Sequence, residues 1–412
     1  MDHIEPIKCL IVRIKQDKGV GPVTWSATDF SPVDAVQIVS LLRSYSGLSR
    51  AELAALMHAT PATITHQVRG LIDGGWVQEA GVRRSLGGRP RVGLCLNDQA
   101  AFAVAVEVGL TTVVIAAVDF GGHIVAARRI PESVAAITQG ITVIAAAIRE
   151  VVEEVDAPPE KWAGLGLAIP GIWDMSSQSV AFAPNLVQWT GINLVELLRR
   201  TVGLDPVVVE NDADASALGE LWFGAGRELQ DLLFVLCDVG IGSGIIIQRR
   251  LVRGQDNTVG EIGHLVVEHA RDLPACGCGH VGCLESVASL AALQRYVAHG
   301  MVEAEALKTI AGYLGMALAG VVNLLGPQTT ILGGALFDRH PVLWPLLVQD
   351  TRSRVLTHLL HRTQFILSPL GDQAALLGLA GLIFGRRLSP ETGPRLSAAP
   401  RRLTGNTKPL DF

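Results

Sequence analysis

One histidine and three cysteines have the types and spacing to hold a metal ion. His264, Cys276, Cys278 and Cys283 read as H-x11-C-x-C-x4-C. Three thiolates and one imidazole are a common donor set for tetrahedral Zn2+. With all four positions filled by protein, such an ion is structural and leaves no water on the metal to activate. Gly277, Gly279 and Gly282 allow the chain to wrap sharply around it. The plainer alternative is a loop with three cysteines and an unrelated histidine, and His280 is the rival fourth ligand. The remaining cysteines are Cys9, Cys95 and Cys237. Three of six within eight residues suit a metal in a reducing compartment rather than disulfides.

A second group of residues has the chemistry to read nucleic acid. Between Ser31 and Leu96 there are seven Lys/Arg (Arg43, Arg50, Arg69, Arg83, Arg84, Arg89, Arg91) against four acids, +3 on a chain whose net charge is −5. A basic segment on an acidic body points to a polyanion partner for that segment alone. Two short helices are expected at 49–57 and 60–73: Ser49 and Glu52 make a capping box, and Thr60-Pro61 supplies a cap and a first-turn proline. Joined by a three-residue turn and preceded by a helix over 32–45, they form a helix-turn-helix. On the last helix Ala62, Thr63, Thr65, His66 and Arg69 are the expected exposed positions. Arg69 and His66 suit base edges or phosphates, and Thr63 and Thr65 suit phosphates or thymine methyls. Two strands, 76–79 and 91–96, flank a wing whose Arg83, Arg84 and Arg89 reach DNA, Arg89 entering the minor groove. A helical protein-interaction module with a solvated basic hairpin is the alternative.

These groups need a scaffold. At 412 residues, 49% hydrophobic and 18% charged, the chain is globular, with sequence for two or three domains. The apolar run from Ala100 to Val118 is interrupted by Glu107, Gly109, Thr111 and Thr112, and reads as two adjacent strands rather than a membrane span. Met1 to Asp29 lacks the apolar core of a signal peptide, so the expected compartment is the cytoplasm. Residues 1–30 are an unassigned leader, 31–96 the winged helix-turn-helix, 97–385 an α/β body, and 386–412 a disordered tail. In the body, strands are expected at 103–108, 113–118, 123–130, 164–168, 207–209, 232–238, 244–248 and 329–332. Helices are expected at 134–155, 212–223, 285–298, 303–325 and 373–385. Both halves open with a strand running into a Gly-rich turn, Glu107-Val108-Gly109-Leu110-Thr111 and Asp238-Val239-Gly240-Ile241-Gly242-Ser243-Gly244, which suggests a duplicated two-lobed architecture with a cleft.

Gly260-Glu261-Ile262-Gly263-His264, followed by the cysteine cluster and Leu284-Glu285, resembles the signature of the ROK family of repressors, open reading frames and kinases. Its members include glucokinases and the xylose and N-acetylglucosamine repressors. Leu167-Ala168-Ile169-Pro170-Gly171, Pro184-Asn185-Leu186 and Glu210-Asn211-Asp212-Ala213 are similar to the kinase-like body, over about 32–385 in all. Leu48 to Ala54 and Gly87 to Pro90 resemble the regulator branch. The resemblance implies an actin-like, hexokinase-type (ribonuclease H-like) fold, with lobe 1 at about 97–215 plus 371–385 and lobe 2 at about 216–370. It implies a monosaccharide effector held by Asn185, Asn211, Asp212, Glu261, His264 and Glu285, residues able to pair with vicinal hydroxyls. The plainer readings are that Asn211-Asp212 caps the next helix and that Glu285 is a helix-start charge. The position matching Asp212 is the general base in the kinases. Where they carry Asp-x-Gly-Gly-Thr, however, this chain has Glu107 to Thr111, with a longer carboxylate and Leu110 in the phosphate cradle. The expectation is therefore a DNA-binding, sugar-responsive repressor without catalysis, at least a homodimer or homotetramer on a palindromic double-stranded operator, and not at a membrane. A sugar kinase is the alternative.

Overall fold

The computed structural model describes residues 35–83, 91–109, 112–131, 137–184, 186–270 and 273–388. The expected leader, Arg84, Arg89, Leu110, Thr111, Asn185 and everything past Leu388 lie outside them, and Arg83 is described by its backbone alone.

The N-terminal module consists of α1 (Ala35–Ser44), α2 (Arg50–Leu56), α3 (Pro61–Asp73) and the antiparallel pair β1 (Val77–Arg83) and β2 (Arg91–Leu96). Local chemistry sets the helix starts. Ser49 Oγ accepts from Glu52 N while Glu52 Oε2 accepts from Ser49 N, so two free amides of the first turn are paired reciprocally. Thr60 Oγ1 accepts from Thr63 N, and Pro61 occupies the first helical position. Ile38, Val39, Leu42, Leu53, Ile64, Val68, Leu71 and Leu94 are buried and hold the three helices on the hairpin.

The body contains two five-stranded sheets. The first uses β3 (Phe102–Val108), β4 (Val113–Asp119), β5 (Ile124–Ile130) and β6 (Trp162–Ile169), followed by a small hairpin, β7 (Ile172–Asp174) and β8 (Ser179–Phe182), and closed by β9 (Val207–Asn211). The second uses β10 (Leu232–Cys237), β11 (Ile241–Ile247), β12 (Arg250–Leu251), β13 (Thr329–Gly333) and β14 (Gln364–Leu367). Their orders, β5-β4-β3-β6-β9 and β12-β11-β10-β13-β14, are the same topology twice, each an antiparallel meander extended by two parallel strands. Ala100 to Val118 is thus a strand, a turn and a strand.

The first sheet carries α4 (Ile137–Val155) and α5 (Leu194–Val202) on one face. Between the sheets lie α6 (Asp212–Trp222), against β10 and β11, and the C-terminal helix (Ala374–Leu388), against β3 and β6. In the second lobe are α7 (Leu284–Ala288), α8 (Leu290–Ala298), α9 (Glu303–Leu325), α10 (Ala335–Arg339), α11 (Leu343–Arg354) and α12 (Thr357–Leu360), so the C-terminal helix is α13. Helices α6 and α13 touch backbone to backbone: a Cβ on Gly378 would stand 1.7 Å from Ala215 O, and one on Gly219 2.0 Å from Ala374 O. Helix α9 is long and apolar enough to cross a membrane by composition, but Leu307, Ile310, Leu314, Leu318 and Val322 are buried against the second lobe.

Several boundaries differ from the sequence reading. The strand expected at 244–248 begins at Ile241, so Gly242 and Gly244 are strand residues rather than a loop. The helix expected over 285–298 breaks at Ser289, whose hydroxyl caps a new helix by accepting from Ala292 N. Helix α13 continues through Leu388, past the expected start of the tail at Arg386. The β7–β8 hairpin, α5, α11 and β14 were not anticipated.

Candidate functional site

A cleft of about 690 Å3 lies between the sheets, lined by Glu107, Asn211, Asp212, Asp238, Glu261, His264 and Glu285 among others. Strand ends and helix starts converge there. Strand β9 delivers Asn211, the cap of α6, and Asp212, its first residue. Burial pushes the Asp212 carboxyl up to about 7, with nearby Asp238 adding repulsion and the Ala213 amide opposing. The Asn211 amide is largely committed: Oδ1 accepts from Ala213 N and Asp214 N, and Nδ2 donates to Gly171 O at 3.0 Å. Its capping role is thus realised, and one amide hydrogen is left for a ligand.

Glu261 and His264 bracket a short 3-10 turn, Ile262–His264. The two nitrogens of His264 face different partners: Nδ1 is 3.5 Å from Cys276 Sγ, and Nε2 is 3.8 Å from Glu261 Oε2. One ring therefore touches both the cysteine cluster and the cleft, with a carboxylate set to fix its orientation. Burial raises the pKa of Glu261, and Glu285 adds to the effect. Glu285 Oε2 accepts from Ile241 N at 3.0 Å, and its other oxygen lies 3.9 Å from Cys276 Sγ.

The metal-ligating atoms of His264, Cys276, Cys278 and Cys283 lie within 4.8 Å of one another, so these residues could hold an ion. Two thiolate bonds of about 2.3 Å at a tetrahedral angle place sulfurs about 3.8 Å apart; Cys278 Sγ and Cys283 Sγ are 3.7 Å apart, with no disulfide. Gly282, at φ +80, lets the chain pass so close to the neighbouring loop that a Cβ would stand 1.8 Å from Glu268 O. His280 is exposed, its Nδ1 3.5 Å from Cys278 Sγ, outside the four-residue group. The donor set and spacing fit a tetrahedral metal.

The first Gly-rich turn lies partly outside the described residues, and Glu107 stands at its base. Burial pushes the Glu107 carboxyl up to about 8, with Asp212, Asp372 and Asp238 reinforcing and Arg129 opposing.

Two cleft residues escaped the sequence reading. Asp214 and Asn257 are buried, and Asp214 Oδ1 and Asn257 Nδ2 lack a hydrogen-bond partner among the described residues. Asp214 directly follows the Glu210-to-Ala213 motif, which was a usable signal; Asn257 carried none. Beside them Arg253 pairs with buried Glu210 and with Asn257 Oδ1.

On the N-terminal module, Ala62, Thr63, Thr65, His66 and Arg69 are all exposed on one helix, as the periodicity implied. Thr65 Oγ1 donates to Pro61 O at 2.7 Å, and Thr63 Oγ1 is 2.8 Å from Thr60 Oγ1, a pair in which either hydroxyl can donate. Arg43 is a correction. It counts toward the positive charge of this segment, but it turns inward against Phe223 and donates to backbone carbonyls, because α1 docks on the body. Arg50 pairs with Glu79 at 3.1 Å.

Comparison with known proteins fits this geometry. The ROK family profile matches residues 103–385. The xylose repressor of Bacillus subtilis (strain 168) is 30% identical over 357 residues, covering 82% of this chain and 91% of that protein. The crystal structure of a ROK family transcriptional regulator, a homologue of the E. coli MLC protein, superposes with a TM-score of 0.69 at 24% identity, covering 86% of this chain and 95% of that one. A ROK family glucokinase from Streptomyces griseus, solved with glucose and AMPPNP, superposes with a TM-score of 0.60 at 29% identity, over 68% of this chain and 99% of its own. By profile, by sequence over four fifths of its length and by fold, the chain belongs to the ROK family.

Proposed function

We propose that this protein is a sugar-responsive transcriptional repressor, in which a monosaccharide in the interlobe cleft governs how the winged helix at 31–96 binds a double-stranded operator. The observation that carries this reading is one match: the xylose repressor aligns over 91% of its own length and 82% of this chain, more than the ROK body at 97–385 can supply. In this reading Asp212, Glu261, His264 and Glu285 bind sugar hydroxyls, aided by Asn185 and the remaining amide hydrogen of Asn211. Arg69, His66, Thr63 and Thr65 read the major groove, and Arg83, Arg84 and Arg89 form the wing. The ion is a structural Zn2+ on His264, Cys276, Cys278 and Cys283 that keeps the Glu261 loop rigid. The protein works in the cytoplasm as a homodimer or homotetramer, the symmetry a palindromic operator demands.

A sugar kinase is the second reading, favoured by Asp212, a half-buried carboxyl in the cleft at the start of α6 whose pKa is pushed up to about 7 by desolvation. The sequence Glu107-Val108-Gly109-Leu110-Thr111, with a longer carboxylate and a leucine where the kinases carry aspartate and glycine, weighs against it. The two separate cleanly. Duplexes selected from a random pool should bind the full chain, and xylose, glucose or N-acetylglucosamine should change that affinity. A coupled phosphorylation assay should stay at background; turnover at ordinary enzyme rates would sink the repressor reading. Arg69→Ala should weaken duplex binding by about 1–3 kcal/mol while sugar-induced thermal shifts persist. Cys278→Ser should abolish the zinc content measured by atomic emission and lower both Tm and sugar affinity.

A further inference from the structure

Helix α1 is fastened to both lobes, at two residues one helical turn apart. Arg43 meets the first lobe: Nη1 donates to Gly121 O and Nη2 to Phe120 O, each at 2.8 Å, in the turn joining β4 to β5. Its guanidinium lies 5.3 Å from the Phe120 ring centre in that turn, and 4.4 Å from that of Phe223, which follows α6 on the way into the second lobe. Ser40 meets the second lobe: its Oγ accepts from Arg249 Nη2 at 2.8 Å. Arg249 sits in the two-residue turn between β11 and β12, and its Nη1 donates to Arg227 O and Leu229 O. Residues i and i+3 share one face of a helix, so both fastenings lie on the same side of α1.

The turn holding Arg249 is itself unusual. Gln248 and Arg249 have φ of +51° and +59°, a pair of left-handed residues that hairpins of this hand ordinarily fill with Asn-Gly. Side chains with a Cβ are disfavoured there and persist where surrounding contacts over-determine them. Here those contacts are the hydrogen bonds from Gln248 N to Asp231 Oδ1 and from Arg249 N to Gln230 O, together with the three bonds of the Arg249 guanidinium, one of which ends on the DNA-reading module.

We infer that Ser40, Arg249 and Arg43 form a two-point clamp through which the angle between the lobes sets the orientation of the reading module. The inference rests on the proposed function. When a sugar draws the lobes together, the β4–β5 turn and the β11–β12 turn move relative to one another. Helix α1 is too stiff to follow both, and hydrogen bonds weaken steeply once stretched or bent. It therefore pivots on the buried Arg43 seat, pulled by Arg249. Ile38 and Leu42 share one core with Ile64 and Val68 of α3, and that core extends to Phe120 beside the Arg43 seat, so a pivot about that seat carries the reading helix along. Ser40 and Arg249 are positioning residues: they touch neither sugar nor DNA.

Ser40→Ala tests this. It removes the acceptor, leaves the carbonyl bonds of Arg249 intact and places the best helix former in α1. The full chain, a duplex recovered by the selection above, and D-xylose, D-glucose and N-acetylglucosamine are the probes. In wild type the responding sugar should change duplex affinity by a factor in the range of about 5–150. In Ser40→Ala and Arg249→Ala that factor should shrink toward one, while sugar affinity without DNA and duplex affinity without sugar are retained. Hydrogen exchange across residues 35–73 should change with sugar in wild type and not in the variants. A wild-type response reproduced in full by both variants overturns the clamp and leaves the repressor reading standing. A wild type whose duplex binding ignores all three sugars overturns both.

Discussion

The turn from β3 to β4 and the turn from β10 to β11 occupy equivalent places in two sheets of identical topology, yet they have different chemistry. In the second lobe the turn is tight and tied down: Asp238 N donates to Gly240 O, and Ile241 N donates to Glu285. Glu285 also approaches Cys276, so this turn is fastened to the metal-ligand loop. In the first lobe the hydrogen bond from Gly109 N to Thr112 O closes a wider loop, and the carboxyl at its base, Glu107, is driven toward its neutral form. A cleft that transfers phosphate needs charge from both sides. Here one side is a polar floor tied down by hydrogen bonds, and on the other burial raises the pKa of the carboxyl at the base of the turn.

The contrast can be tested from both ends. The largest effect is expected at Glu285→Ala, which strips the Ile241 amide of its partner and removes a cleft carboxylate. Leaving a buried donor unpaired costs about 1–3 kcal/mol, so Tm should fall, and sugar affinity by calorimetry should drop by about tenfold or more. Unchanged affinity would show that the two turns matter equally little. Next comes Glu107→Gln. The folded state holds a proton on Glu107 up to about pH 8, whereas the unfolded chain releases it near 4.5. The folded form thus loses stability as pH rises between those values. Glutamine removes that loss, so the Tm of the variant minus that of wild type should widen from pH 5 to pH 8. A flat difference would mean that Glu107 is an ordinary ionised carboxylate and the first turn is still competent. The smallest effect is expected at Gly240→Ala. Its Cβ would meet Glu285 Oε2 at 2.7 Å. A flexible carboxylate can yield, so stability should change by about 1 kcal/mol or less, with a modest loss of sugar affinity.

Much of this was legible in the sequence because the signals are local. The capping box at Ser49 and Glu52, the Thr60-Pro61 start and the spacing of the cysteines each state their geometry within a dozen residues. The turns after Val108 and Cys237 announced the two sheets. What stayed hidden depends on distant partners. Strand β14 is four half-exposed or exposed residues that make sense only beside β13, and α11 carries Pro345 in its first turn and a weak apolar stripe. The split at Ser289 follows from Leu290 N reaching back to Asp238 O, a contact no local pattern encodes. Arg43 misled for the same reason: counted along the chain it is one more positive charge, and only docking on Phe120 and Phe223 turns it into a core residue. Burial brings its pKa down to about 10.

The bare contact between α6 and α13 has its own consequence. Where Gly219 and Gly378 meet the opposite helix there are no side chains, hence no rotamers to freeze and no soft atoms to compress. At these two points the approach of the helices that flank the cleft is set by peptide planes. Sequence drift elsewhere in the two lobes can retune what the cleft binds without moving the axle on which it opens.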